Sequence, residues 1–242
     1  MEKDIPNLDM KNLRPNRWLA AALLMFLMLS SARAGDSWQV WFDQAADTEL
    51  SEKSSVRTGQ SFHYACDDGQ LATYYLEAGY TRHALDWLDW GLAYRQQYDK
   101  RDGRWIEENR PYADVTPRWK TRLVTVSDRS RVEYRIREDQ DDTSRYRNKL
   151  AVQYNEWEAG FGLKPYVAVE AFVDASADLK ERDQTRFTLG IRTDPEKHLL
   201  RNVKDRMRHE WAMDYYVTRQ RVEKSGEWES SYIAGVQLGI KF

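Results

Sequence analysis

The segment Tyr232-Ile-Ala-Gly-Val-Gln-Leu-Gly-Ile-Lys-Phe242 decides the fold. Tyr232, Ala234, Val236, Leu238, Ile240 and Phe242 are apolar, while Gly235, Gln237, Gly239 and Lys241 between them are small or polar; Ile233 is the exception. A β-strand sends successive side chains to opposite faces, so the segment predicts a strand with one apolar face. The same period recurs upstream. Ala72, Tyr74, Leu76, Ala78 and Tyr80 oppose Thr73, Tyr75, Glu77 and Gly79. Val132, Tyr134 and Ile136 oppose Arg131, Glu133, Arg135 and Arg137; Tyr146, Leu150 and Val152 oppose Arg145, Arg147 and Lys149. Val167, Val169, Ala171 and Val173 oppose Tyr166, Ala168 and Glu170; Phe187, Leu189 and Ile191 oppose Arg186, Thr188, Gly190 and Arg192. Trp211, Met213, Tyr215 and Val217 oppose Arg208, Glu210, Asp214 and Tyr216. Helical spacing explains none of these runs.

Turn signals separate the runs: Asp67-Asp68-Gly69, Asp99 to Gly103, Ser127 to Ser130, Asp139 to Asp142, Asp174 to Asp183, and Glu223 to Gly226. The alternating segments between them are about the length of a tilted membrane strand. Eleven can be picked out, but single-chain bacterial barrels normally have an even number of strands. The long 105–126 stretch holds Pro111 and Pro117 and could hide a turn. The expectation is an all-β, up-and-down antiparallel transmembrane β-barrel of ten to twelve strands, with twelve preferred.

The leader supports export. Lys3, Lys11, Arg14 and Arg17 precede the apolar run Trp18 to Leu29, and Ala32 and Ala34 stand at the small-residue positions of a cleavage site. That order predicts a helical signal peptide over 1–34, cleaved after Ala34, and one barrel domain over 35–242. The apolar run is too short to span a bilayer, which takes about 20 residues. Mean hydropathy is −0.81 and 31% of residues are charged. A barrel conceals its lipid face in this way because only alternate residues meet the membrane. Ten Trp and 14 Tyr suit aromatic girdles at the two interfaces. The expected location is the cell outer membrane of a Gram-negative bacterium, with outer-membrane lipid as a partner. A net charge of −2 argues against nucleic acid. With Cys66 as the sole cysteine, no internal disulfide can form. The competing architecture is a soluble periplasmic β-sandwich that binds an anionic ligand on its basic face.

In a barrel with its apolar face on lipid, the other face lines the lumen. Arg131, Glu133, Arg135, Arg137, Arg145, Arg147, Glu170, Arg186, Arg208 and Glu210 are the expected lumen residues, with Arg118, Lys120 and Arg122 also on that face. Two functions follow from such a lining. Arg and Glu could pair across strands into a plug, which leaves a structural or small-solute barrel. Alternatively, unpaired Arg could line a narrow anion-selective path for acidic sugars or other small anionic solutes. No His stands in a motif with a nucleophilic Ser, and no His pair has metal-ligand spacing, so no catalytic residue, metal site or cofactor is expected.

The sequence resembles the DUF2490 family of bacterial predicted outer-membrane barrels. The resemblance is carried by Tyr75-Leu-Glu-Ala-Gly-Tyr80, Arg131-Val-Glu-Tyr-Arg-Ile-Arg137, Arg145-Tyr-Arg147, Val169-Glu-Ala-Phe172, Arg186-Phe-Thr-Leu-Gly190 and Phe242. It implies the barrel fold and the outer-membrane location, and it brings no catalytic or binding residues. The terminal strand is also similar to the recognition signal of barrel-assembly machinery, with Tyr232, Val236, Leu238, Ile240 and Phe242 as the residues read.

Overall fold

A computed structural model of the chain describes residues 36–155, 163–175, 184–193, 210–224 and 226–242. The segment 1–34, expected as a signal peptide, and Arg208 lie outside the described residues. Among those residues there is no helix.

Eleven strands follow one another in chain order. They are β1 (Ser37–Ser51), β2 (Ser54–Ala65), β3 (Gln70–Leu85), β4 (Leu88–Arg101), β5 (Arg104–Lys120) and β6 (Val124–Arg137), then β7 (Thr143–Tyr154), β8 (Leu163–Ala175), β9 (Gln184–Thr193), β10 (Glu210–Lys224) and β11 (Glu227–Lys241). Each pairs with its sequence neighbours, and β1 pairs with β11 to close the sheet into a barrel. A two-sheet sandwich is therefore not the architecture. Closure leaves no free strand edge along the ladder.

The count is eleven rather than the preferred twelve, because 105–126 holds one strand and a turn. The β4–β5 ladder runs unbroken from Arg101↔Arg104 to Leu88↔Pro117. On the other side, the β5–β6 register skips Arg110–Pro111 and Thr116–Pro117. Each proline lacks an N–H, and the two gaps fall on the β6 side, so the prolines interrupt one ladder without ending the strand. The turn comes at 121–123, where Thr121 N and Val124 O hydrogen-bond at 2.8 Å. The turn expected over Ser127–Ser130 is absent, because those residues lie inside β6. An odd number of strands makes the first and last run the same way, and β1 and β11 pair in parallel from Ser37↔Ser231 to Asp47↔Lys241.

Positive-φ glycines stand at the β2–β3, β4–β5 and β10–β11 turns, Gly69, Gly103 and Gly226. Asp102 (φ 48°) and Gly103 (φ 78°) both occupy the left-handed region, as a two-residue hairpin loop matching the strand twist requires.

The distribution of side chains is inverted relative to a water-soluble protein. Along β6, Arg131, Glu133 and Arg135 are 6%, 1% and 5% exposed, while Val132, Tyr134 and Ile136 between them are 57%, 46% and 42% exposed. β8 repeats the pattern: Ala168, Glu170, Phe172 and Asp174 are buried, while Val167, Val169 and Val173 are exposed. Aromatic rings cluster toward both ends of the outer face. Trp38 stacks on Tyr232 at 5.1 Å, and Tyr74 packs with Tyr98 at 4.8 Å and Trp105 at 5.1 Å, near one end. Tyr80 and Trp90 pair at 5.9 Å toward the other.

Candidate functional site: the charged lumen

Strand alternation carries Arg131, Glu133 and Arg135 inward together, and the register sets opposite them residues that complete an ion-pair network. Glu133 lies between two guanidiniums: Arg147 Nη1 donates to its Oε1 at 2.6 Å, and Arg131 Nη1 stands 3.7 Å away. Arg131 also donates to Asp114 Oδ2 from Nε at 3.1 Å and Nη2 at 2.8 Å. Arg131 and Arg147 face each other across β6 and β7, an arrangement that repels unless carboxylates intervene. Asp114 and Glu133 do so here.

Nearer the end that carries the β4–β5 and β6–β7 turns, Arg135 grips Glu108 with both Nε and Nη2, the latter at 2.8 Å, and reaches Asp174 Oδ2 at 3.4 Å. Arg110 shares Glu108, and Arg145 binds Asp174 through Nε and Nη2. Around the wall, Arg95 Nη2 donates to Glu77 Oε2 at 2.6 Å, and Arg192 holds Asp214 in a fork at 2.9 and 2.7 Å. Such two-point pairs are the strong, directional form of the arginine–carboxylate contact. Guanidinium planes also stack on rings that face inward. Arg131 lies 3.7 Å over Tyr112, Arg95 3.9 Å over Tyr75, and both Arg147 (4.7 Å) and Arg186 (4.8 Å) cover Phe172.

The structure thus brings together Arg131, Glu133, Arg135, Arg145, Arg147, Glu170 and Arg186 from the expected lumen set. Arg137 is drawn out to the β6–β7 turn, where Nη1 donates to Gln140 Oε1 at 2.7 Å and Nε to Asp141 O at 3.0 Å. Glu210 is the exposed first residue of β10 and takes no part. Arg118 pairs with Asp89 at 2.9 Å at the rim, and Lys120 and Arg122 are exposed there. Tyr232, Val236, Leu238 and Ile240 alternate onto the same face of β11, Tyr232 with no exposed surface where it stacks on Trp38, and Phe242 follows the strand, 51% exposed.

Four network members were not legible beforehand. Asp174 was expected in a turn and lies instead at an inward position of β8. Arg129 fell within the turn expected over Ser127–Ser130 and lies on the inner face of β6. Glu108 and Arg110 share the face of Asp114, but the two prolines of β5 obscured its alternation.

A second cluster occupies the opposite wall. Asp43 on β1 accepts from Ser61 through Oδ1, and from Tyr216 OH through Oδ2 at 2.8 Å. Ser61 Oγ lies 3.0 Å from His63 Nε2, and the imidazole stacks on Trp41 at 3.8 Å. Sequence reasoning placed His63 beside no serine, although residues two apart on a strand share a face. The carboxylate contacts the serine hydroxyl rather than the imidazole, unlike the relay in which an acid orients the base. Ser61 has no exposed surface. Among the described residues no group of three or more His, Cys, Asp or Glu is arranged to hold a metal ion.

A family model described as a protein of unknown function (DUF2490) matches residues 38–202. No curated protein and no solved structure matches the chain.

Proposed function

The chain belongs to the DUF2490 family, and from that premise we propose that it is an outer-membrane β-barrel closed to free diffusion by its own ion-paired lumen. The observation that carries this is the inverted barrel: charged side chains are buried inside the closed sheet, and Val, Leu, Ile and aromatic side chains are exposed along its outside. In water that outer face, though it also carries polar pairs such as Gln44–Gln60 and Asp128–Asn148, would expose far more apolar surface than soluble proteins leave uncovered. In a bilayer it is the lipid contact, and the aromatic residues toward both ends suit the two interfaces. Under this proposal residues 1–34 direct export and are removed, and β11 is the strand on which the assembly machinery acts.

The pairing inside favours a plug over an open anion path. Arg131, Arg135 and Arg147 each contact carboxylates and are nearly inaccessible, so they are not free to line an aqueous channel. The proposed role is therefore structural and non-catalytic. The test is to insert the refolded protein, with 1–34 removed, into a planar bilayer under a salt gradient. A barrel that shifts mobility on heating and inserts but stays electrically silent is the expected result. A steady, anion-selective conductance that weakens in Arg135→Ala would overturn the closed lumen. Recovery in the soluble fraction without detergent would overturn the membrane assignment.

A further inference from the structure

Charge within the lumen is unevenly balanced. Most inward guanidiniums have a carboxylate close by, but Glu170 is shared. Arg129 Nη2 and Arg147 Nη2 each donate to its Oε1 at 2.9 Å, and Arg186 Nη1 stands 3.8 Å from its Oε2. Lys149 is the cross-strand neighbour of Arg129 on one side and of Glu170 on the other. It forms no ion pair or hydrogen bond among the described residues. Arg147 also has Glu133. Arg129, Lys149 and Arg186 are thus three cations on one carboxylate, an excess of two positive charges. The other polar partners of Arg186 are neutral amides: Nε donates to Gln220 Oε1 at 2.8 Å, and the Gln184 amide lies 3.1 Å from both Nε and Nη2. Arg129 Nε is buried without any partner.

Arg129 and Arg186 are also more accessible than the tightly paired Arg131, Arg135 and Arg147. The side chains of Arg129 and Arg186 keep 28% and 21% of their surface exposed, against 7%, 6% and 9% for Arg131, Arg135 and Arg147. All three residues point inward, so the accessible surface opens into the lumen. Uncompensated charge in such a setting is costly unless a counter-charge binds.

We propose that Arg129, Lys149 and Arg186 form a binding site for a doubly charged phosphate group, either free phosphate or a phosphomonoester headgroup. One dianion matches the excess of two charges, whereas a carboxylate would leave one unbalanced. Planar guanidinium forks and a lysine point charge suit the oxygens of a tetrahedral phosphate. The site rests on the barrel's register and not on its membrane location, so it stands or falls separately from the closed-barrel proposal.

The test uses the refolded full-length barrel in phosphate-free detergent. Inorganic phosphate is titrated by calorimetry, dioleoyl phosphatidate is added in mixed micelles against phosphatidylcholine, and thermal midpoints are recorded alongside. Saturable binding with a raised midpoint is expected, since a ligand of the folded state stabilises it. Lys149→Met and Arg186→Gln should each weaken binding by about tenfold or more, the scale of one charge-assisted hydrogen bond. Glu170→Gln, which removes the competing carboxylate, should tighten it. Lys149→Met should melt no lower than the parent without phosphate, a result that a merely structural lysine would not give, and this comparison decides the matter if Glu170→Gln does not fold. Response to inorganic phosphate identifies a solute site, and response to phosphatidate alone identifies a headgroup site. No saturable response to either probe, or equal binding by the parent and Lys149→Met, would overturn the proposal.

Discussion

Glu133 shows most directly what a single inward residue does in this lumen. It is 1% exposed and lies within reach of both Arg131 and Arg147. Glu133→Ala would leave Arg147 with only Glu170 and weaken the screen between two guanidiniums that face each other across β6 and β7. Removing one partner of a buried ion pair costs about 3–5 kcal/mol, because the remaining charge keeps its desolvation penalty. Urea unfolding of the detergent-refolded barrel checks this; a loss under about 1 kcal/mol, the usual range for exposed pairs, would mean that water rather than carboxylate screens the arginines. The inward direction of Arg131, Glu133 and Arg135 follows from alternation alone. Their partners do not, because Glu108 and Asp174 reach Arg135 from β5 and β8, across 27 and 39 residues of chain.

At the scale of paired strands, one register row crosses six of them: Tyr166↔Gly190↔Tyr216↔Gly235↔Trp41↔His63. The two glycines make room for the tyrosine rings beside them. A Cβ on Gly190 would lie 2.3 Å from Tyr166 Cζ, and one on Gly235 would lie 2.1 Å from Tyr216 Cζ. Neither ring can stay in place if its glycine gains a side chain. Gly235→Ala should cost about 1–3 kcal/mol, the usual range for overpacking a tight site. Tyr216→Ala combined with Gly235→Ala should lose clearly less than the two single changes added together, because both act on one contact. A double-mutant cycle on unfolding midpoints reads this directly, and strict additivity would show the ring and the glycine to be energetically independent. The alternation of β9 and β11 was plain in the sequence, but it marked Gly190 and Gly235 only as small inward residues. Their purpose depends on which tyrosine the neighbouring strand sets beside them.

For the whole molecule, the solvent on the outer face is the decisive variable. Val132 is 57% exposed on β6 between the buried Arg131 and Glu133. If that face meets lipid, Val132→Lys should destabilise the barrel by about 2–4 kcal/mol near the bilayer midplane. In a water-exposed sheet the same change would cost little, since surface substitutions usually fall within about 0.5 kcal/mol. Reversible unfolding from lipid vesicles separates the two. The barrel's two ends also differ. Exposed Asp67, Asp68, Asp102, Asp139, Asp141 and Asp142 occupy the β2–β3, β4–β5 and β6–β7 turns, whereas exposed Leu50, Leu85, Trp87, Trp119 and Leu123 lie at the opposite end, in or beside the β1–β2, β3–β4 and β5–β6 turns.

The sequence by itself determined the strand class, nearly every strand position and the face taken by most of the alternating side chains. These are local properties: a period of two is written in neighbouring residues and needs no knowledge of the rest of the chain. Only the tertiary structure decided that eleven strands close in parallel at β1 and β11, that Pro111 and Pro117 break a ladder without ending a strand, and that the lumen arginines are mostly paired. It also decided where the pairing fails, around Glu170. Pairing depends on register and closure, which bring together side chains tens of residues apart, and no local pattern specifies which carboxylate a given guanidinium will meet.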